Sequence, residues 1–200
     1  MKKIMMIAAM MLLSVGAFAQ NEVGQITLKP MAGINLATMT KTDDSKMRVG
    51  LAAGVEAEYG VAENFSLSLG ALYSMQGVKG TENYSGIKAD ATIKMDYINI
   101  PILANYYIIK GLAIKAGVQP SFKASAKVKM EASYQGQSVS EESDIDNAKG
   151  FALSVPFGLS YEYESFVLDA RYNLGVTKAF KAGDSKNSWF MFTLGYKFAL

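Results

Sequence analysis

Residues 188–200 alternate strictly between apolar and mixed positions. Phe190, Phe192, Leu194, Tyr196, Phe198 and Leu200 share one parity, and Trp189, Met191, Thr193, Gly195, Lys197 and Ala199 share the other. Successive side chains of a strand point to opposite faces, so this spacing predicts a strand with one wholly apolar face. The same period recurs over roughly 26–37, 47–59, 65–76, 93–107, 112–123, 151–163 and 166–177. Two segments are irregular. Pro30 lacks the N–H a central strand needs, so the first strand is expected to begin just after it. In the fourth, Ile93, Met95 and Tyr97 sit on the opposite parity from Ile98, Ile100 and Ile102, which predicts a bulge near Asp96–Ile98.

The connections alternate in length. Those at 38–46, 77–92, 124–150 and 178–187 are long and polar, whereas those at 60–64, 108–111 and 164–165 are short. Short periplasmic turns and long extracellular loops are the habit of transmembrane barrels, whose strands run to about ten residues. Aromatics gather near both strand ends. Tyr59, Phe65, Tyr106, Tyr107, Tyr161, Tyr163, Phe166, Tyr196 and Phe198 lie toward the short turns; Tyr73, Tyr97, Phe122, Phe151 and Trp189 lie toward the long loops. Two aromatic girdles at membrane interfaces fit this distribution. The expected fold is all-β, an eight-stranded antiparallel up-and-down transmembrane β-barrel, whose last strand pairs with the first to leave no edge.

The first residues alter the picture in one respect. Lys2 and Lys3, the apolar run 4–15 and Ala17-Phe18-Ala19 form a secretory signal pattern. The expected organisation is a signal peptide over 1–19 and an outer-membrane barrel domain over 20–200. Without Lys2 and Lys3, 18 basic residues face 18 acidic ones. That balance gives no basic excess for nucleic acid. Cysteine and histidine are both absent, which excludes disulfides, a Ser-His-Asp triad and imidazole-ligated metal.

Asp96-Tyr-Ile-Asn-Ile-Pro-Ile-Leu-Ala-Asn-Tyr-Tyr107 resembles the Tyr-Leu-Glu-Ile-Pro-Leu-Leu segment of the PorT-like outer-membrane β-barrel family, with Asn99 where Glu is common. Gly24 to Leu36 resembles that family's opening strand, and the aromatic C-terminal strand resembles its closing one. The resemblance implies a small OmpA-like barrel of the outer membrane, with a C-terminal strand recognised by the barrel-assembly machinery. It implies no single activity and no functional residues.

The charges opposite the apolar stripes are the candidate site. Arg48, Glu56, Glu58, Lys115, Glu162, Glu164, Asp169, Arg171 and Lys197 share the inward parity. An eight-stranded barrel is just wide enough for side chains to fill, and buried charges must be paired. A paired lumenal network is therefore expected, with no catalytic, cofactor or metal site. Glu56 and Glu58 as an acid–base couple, and Asp43-Asp44 or Glu141–Asn147 as calcium loops, are the competing chemistries; the acidic runs read as solvated loop tips. The expected function is non-enzymatic, structural or partner-binding through extracellular loops. The expected partners are outer-membrane lipid, the assembly machinery and a further protein. A narrow solute channel and a soluble lipocalin-like binder of apolar ligands are the alternatives, and an outer-membrane hydrolase is disfavoured by the missing histidine. The 124–150 connection is the longest, and 123–134 within it alternates, so strands five and six are expected to extend as a hairpin.

Overall fold

Val, Ile, Leu and aromatic residues at every second position leave the chain little choice but extended pairing. The computed structural model describes residues 23–40, 45–84, 87–134, 137–181 and 184–200; the signal pattern at 1–19 lies outside them. The described residues form an 11-stranded antiparallel sheet. In order these are β1 (Ile26–Met39), β2 (Ser45–Ala62), β3 (Phe65–Tyr84), β4 (Ile87–Asn99), β5 (Ile102–Ile109), β6 (Leu112–Tyr134), β7 (Gln137–Asp144), β8 (Phe151–Tyr163), β9 (Phe166–Gly175), β10 (Asn187–Tyr196) and β11 (Phe198–Ala199). Eight staves make the barrel. β4 and β5 together form one and β10 and β11 another, while β7 pairs only with the upper part of β6. The ring closes where β1 pairs with β10, from Met31 opposite Gly195 to Met39 opposite Asn187.

Prolines account for the breaks in the staves. Strand β1 starts at Ile26 rather than after Pro30. Pro30 keeps its partner Val55 on one side, while on the other the ladder lapses at Lys197, between β10 and β11. Pro101 separates β4 from β5, and its carbonyl accepts from the Gly70 N–H at 2.9 Å. The bulge foreseen in the fourth strand lies instead in its neighbour. Asp96 pairs with Ser125 and Tyr97 with Lys123, so the extra residue is Ala124 of β6. Ile93, Met95 and Tyr97 hold an unbroken register against β3; Met95 and Tyr97 are buried inside the barrel.

The distribution of side chains is inside-out. Leu51 is 63 % exposed and Leu168 60 %, whereas Glu56 is 0 % and Arg171 1 %. Apolar side chains turned outward around a closed ring of strands are what a bilayer requires. A lipocalin-like binder needs the reverse arrangement, and that reading is overturned. Tyr73, Ile98, Phe122 and Phe151 stand side by side in the register, all exposed, as an upper girdle row. The rings of Phe122 and Phe151 meet edge to face at 5.7 Å. Tyr97 and Trp189 do not belong to this girdle, since both are buried in the lumen. Heating tests closure. Unboiled protein in detergent is expected to run as a compact, faster band that boiling converts to full apparent mass; one band under both conditions would refute a closed ring.

Above the girdle row the barrel is lopsided. The connection at 77–92 is strand over 77–84 and 87–92: β3 continues past Tyr73 to Tyr84 and β4 descends from Ile87. Together with β6, β7 and the start of β2, they raise a five-stranded sheet about 35 Å along the strands beyond Tyr73. The segments after β7 and after β9 fold inward. Ala148 bridges Phe180, and the Lys149 N–H donates to the Ala179 carbonyl at 2.9 Å. Ala148, Ala179, Ile145 and Phe180 pack on Met39, Met95 and Tyr97, placing an apolar cap over the upper lumen. No helix among the described residues is long and apolar enough to cross a membrane.

Candidate functional site

The lumenal charges fall into two tiers. Alternation on β1, β2, β6 and β9 aims Lys29, Glu56, Lys115, Asp169 and Arg171 at the barrel axis, and the register brings them to one height. Glu56 accepts from Lys29 at 2.8 Å, Lys115 at 3.2 Å and Arg171 Nη2 at 2.7 Å. Asp169 accepts from Lys115 at 2.9 Å and from Arg171 through Nε at 2.6 Å and Nη2 at 2.7 Å. Arginine is suited to this place, because its planar fork serves two carboxylates at once and does not deprotonate. All five side chains are essentially buried.

The second tier lies nearer the short turns. Glu58 accepts from Ser66 and from the Tyr107 hydroxyl, each at 2.5 Å, and pairs with Lys197 at 3.4 Å. Lys197 also donates to Glu162 at 2.6 Å and sits 5.7 Å from the centre of the Tyr107 ring. The central tier holds three cations and two carboxylates; the lower holds one cation and two carboxylates. Each is out of balance by one charge, in opposite senses, and together they are neutral. Buried charge is tolerated on such terms.

Seven of the nine charges of inward parity belong to these tiers: Glu56, Glu58, Lys115, Glu162, Asp169, Arg171 and Lys197. Arg48 lies apart at the upper rim, where it donates to the Gln76 carbonyl and pairs with Asp96 at 3.6 Å. Asp96 in turn accepts from the Tyr73 hydroxyl at 2.7 Å. Glu164 is not inward at all. It occupies the tight turn between β8 and β9 with φ of 55°. Alternation alone does not point to Lys29 or Tyr107. Lys29 has the inward parity of Met31, but Pro30 beside it draws the eye to a strand boundary. Tyr107 reads as a girdle aromatic until its hydroxyl is seen on Glu58.

The arrangement has little chemistry to offer beyond cohesion. Glu56 and Glu58 are not an acid–base couple, for each is committed to a different tier. Above the tiers, Met31, Ala37, Ala52, Leu72, Trp189 and Met191 fill the lumen with apolar bulk. The acidic run at 141–147 is largely strand: Glu142, in β7, pairs with Lys94 at 2.5 Å and Lys127 at 3.2 Å. No group of three or more acidic side chains among the described residues could hold a metal ion. Asp43 and Asp44 lie outside the described residues.

Among solved structures, the chain is similar to Ail, the attachment invasion locus protein of Yersinia pestis. The identity is 16 %, over 88 % of this chain and 100 % of that one, with a TM-score of 0.46. It is also similar to Neisserial surface protein A (14 % identity, 86 % and 97 % covered, TM-score 0.47). A third similar structure is OprG from Pseudomonas aeruginosa (13 % identity, 90 % and 99 % covered, TM-score 0.39). No curated protein matches the chain. A family model for an outer membrane protein beta-barrel domain matches residues 18–181. With apolar staves turned to lipid, charges paired within and four-fifths of its length matched, the chain belongs to this outer-membrane β-barrel family.

Proposed function

We propose that this protein is a non-enzymatic barrel of the outer membrane, closed to solutes, whose working surface is the sheet raised above the membrane. The central charge tier carries the reading. Arg171 reaches from β9 to Glu56 of β2 on the far side of the chain, so the side chains that meet there cross the lumen and occupy it. The apolar cap and the lower tier close it again above and below. A narrow channel would need a continuous polar path through all three levels. The PorT-like segment Asp96–Tyr107 supports a finer placement within the family. The aromatic closing strand fits recognition by the barrel-assembly machinery, and the signal pattern at 1–19 fits export. Lipid is then one partner and an exported protein on the raised sheet another.

Planar-bilayer recording tests the closure. The purified barrel is expected to insert without discrete conductance steps. Steps that persist in the unmodified protein and change in size with Arg171→Ala would establish the channel instead.

A further inference from the structure

The raised sheet is two-faced. Its outer side is laced with ion pairs: Lys79–Asp90 at 3.4 Å, Lys129–Glu131 at 2.8 Å, and Glu142 between Lys94 and Lys127. Its inner side, continuous with the lumen wall, is apolar as far as Glu141 at its border. Ala91 pairs with Met130 and Ala89 with Ala132, and beyond them Val139 and Glu141 of β7 complete the face. Met130 is 61 % exposed and Val139 75 %. These residues line a hollow of about 460 Å³.

The sheet ends on β7, which pairs with β6 and with no other described strand. An unpaired edge offers a row of N–H and C=O groups to any chain that can lie along it. This edge carries Glu141, Glu142 and Asp144 and no basic residue. Glu142 is engaged by its two lysines, whereas neither Glu141 nor Asp144 makes an ion pair with a described residue. A second copy of β7 would set carboxylate against carboxylate, which is unfavourable across a strand pair. The edge also lacks the lysines and prolines that usually blunt such strands, and it has an exposed valine at its middle.

We propose that the free edge of β7 receives an extended segment of another exported protein as an added strand. That segment carries an apolar side chain opposite Val139 and a basic one opposite Glu141 on the inner face, and a second basic one opposite Asp144 on the outer face. Backbone pairing supplies the affinity and alternate side chains the selectivity, as in other strand additions. The inference rests on the raised sheet being the working surface and names what that surface takes.

The test uses the intact barrel in phosphatidylcholine nanodiscs and three fluorescent eight-residue probes: Lys-Val-Thr-Lys-Thr-Val-Thr-Val, which sets its lysines against Asp144 and Glu141 when antiparallel to β7, the same sequence with both lysines replaced by glutamate, and the same sequence with central prolines. Polarisation is expected to show binding of the first probe alone, with amide exchange slowed in β7. Glu141→Gln with Asp144→Asn is expected to weaken it about tenfold, as the loss of two exposed pairs would. Glu141→Lys with Asp144→Lys is expected to abolish it, the heat-dependent mobility shift confirming that each variant is folded. Equal binding of the glutamate probe or of the proline probe, binding unchanged in the variants, or no binding at all would overturn the proposal; the last result would mean that the acids merely guard the edge. Conductance reports separately on the closed barrel, so a silent barrel that ignores every probe removes the strand addition and leaves the plug.

Discussion

Glu56→Gln is expected to be the most damaging substitution in the lumen, lowering the stability of the folded barrel by about 3–5 kcal/mol. The carboxylate of Glu56 receives Lys29, Lys115 and Arg171. Without it, three buried cations share Asp169 alone. Arg171→Met removes a side chain that is larger and makes as many contacts, yet it leaves two cations with two carboxylates, so its cost is expected to be clearly smaller. Contact number alone would rank the two together; charge balance separates them. Urea titration of the barrel in lipid vesicles, scored by the heat-dependent band, measures both. If Arg171→Met proves the worse, hydrogen-bond geometry rather than net charge governs the tier. If neither moves the midpoint, the lumen is wet enough to screen its charges and the plug is not a plug.

Gly33→Val is expected to prevent closure altogether. Gly33 lies on β1 at the closing seam, opposite Thr193 of β10. A Cβ there would fall 1.9 Å from the Phe192 carbonyl oxygen and 2.6 Å from the Thr193 Cα. Both are backbone atoms of the partner strand, so no rotamer change relieves the clash and the seam itself must part. An open seam leaves two edges in hydrocarbon, where each unpaired backbone group costs several kcal/mol. The unboiled compact band is expected to vanish. Gly150→Ala, whose Cβ would meet nothing within 4 Å, is expected to run as the unmodified protein does. A compact band for Gly33→Val would show that the ring closes elsewhere.

Much of this was legible from period two alone. The stave over 151–163 has the limits the alternation predicts, and the inward parity finds seven of the charges that form the tiers. Parity assigns a face but not a height. It could not say that Glu56 and Glu58, neighbours on one strand face, belong to separate networks, because height is set by register with strands distant in sequence. Nor could it place Arg48, whose strand slips by a residue against β3 between Met47 and Ala52. Polarity misled at 77–92. Lysine, threonine and glutamate there look like a loop, yet a strand outside the bilayer has no need of an apolar outer face. Aromatic identity misled at Tyr97 and Trp189, since a ring fills a lumen as readily as it anchors at an interface.

The sequence separation of the charge partners bears on how the barrel is made. Glu56 and Arg171 are 115 residues apart, and Lys115 and Asp169 are 54 apart. The N-terminal staves therefore carry the Lys29–Glu56 pair toward the membrane long before β6 and β9 bring Lys115, Asp169 and Arg171. Arg171 and Asp169 arrive together on one strand, adding no net charge as they come. A sheet that lacks only its last strand holds Glu58 and Glu162 of the lower tier without Lys197. Insertion stave by stave would thus strand ions in hydrocarbon, whereas release of a nearly complete cylinder would not. An intermediate missing its closing strand is therefore expected to be penalised by its own uncompensated interior.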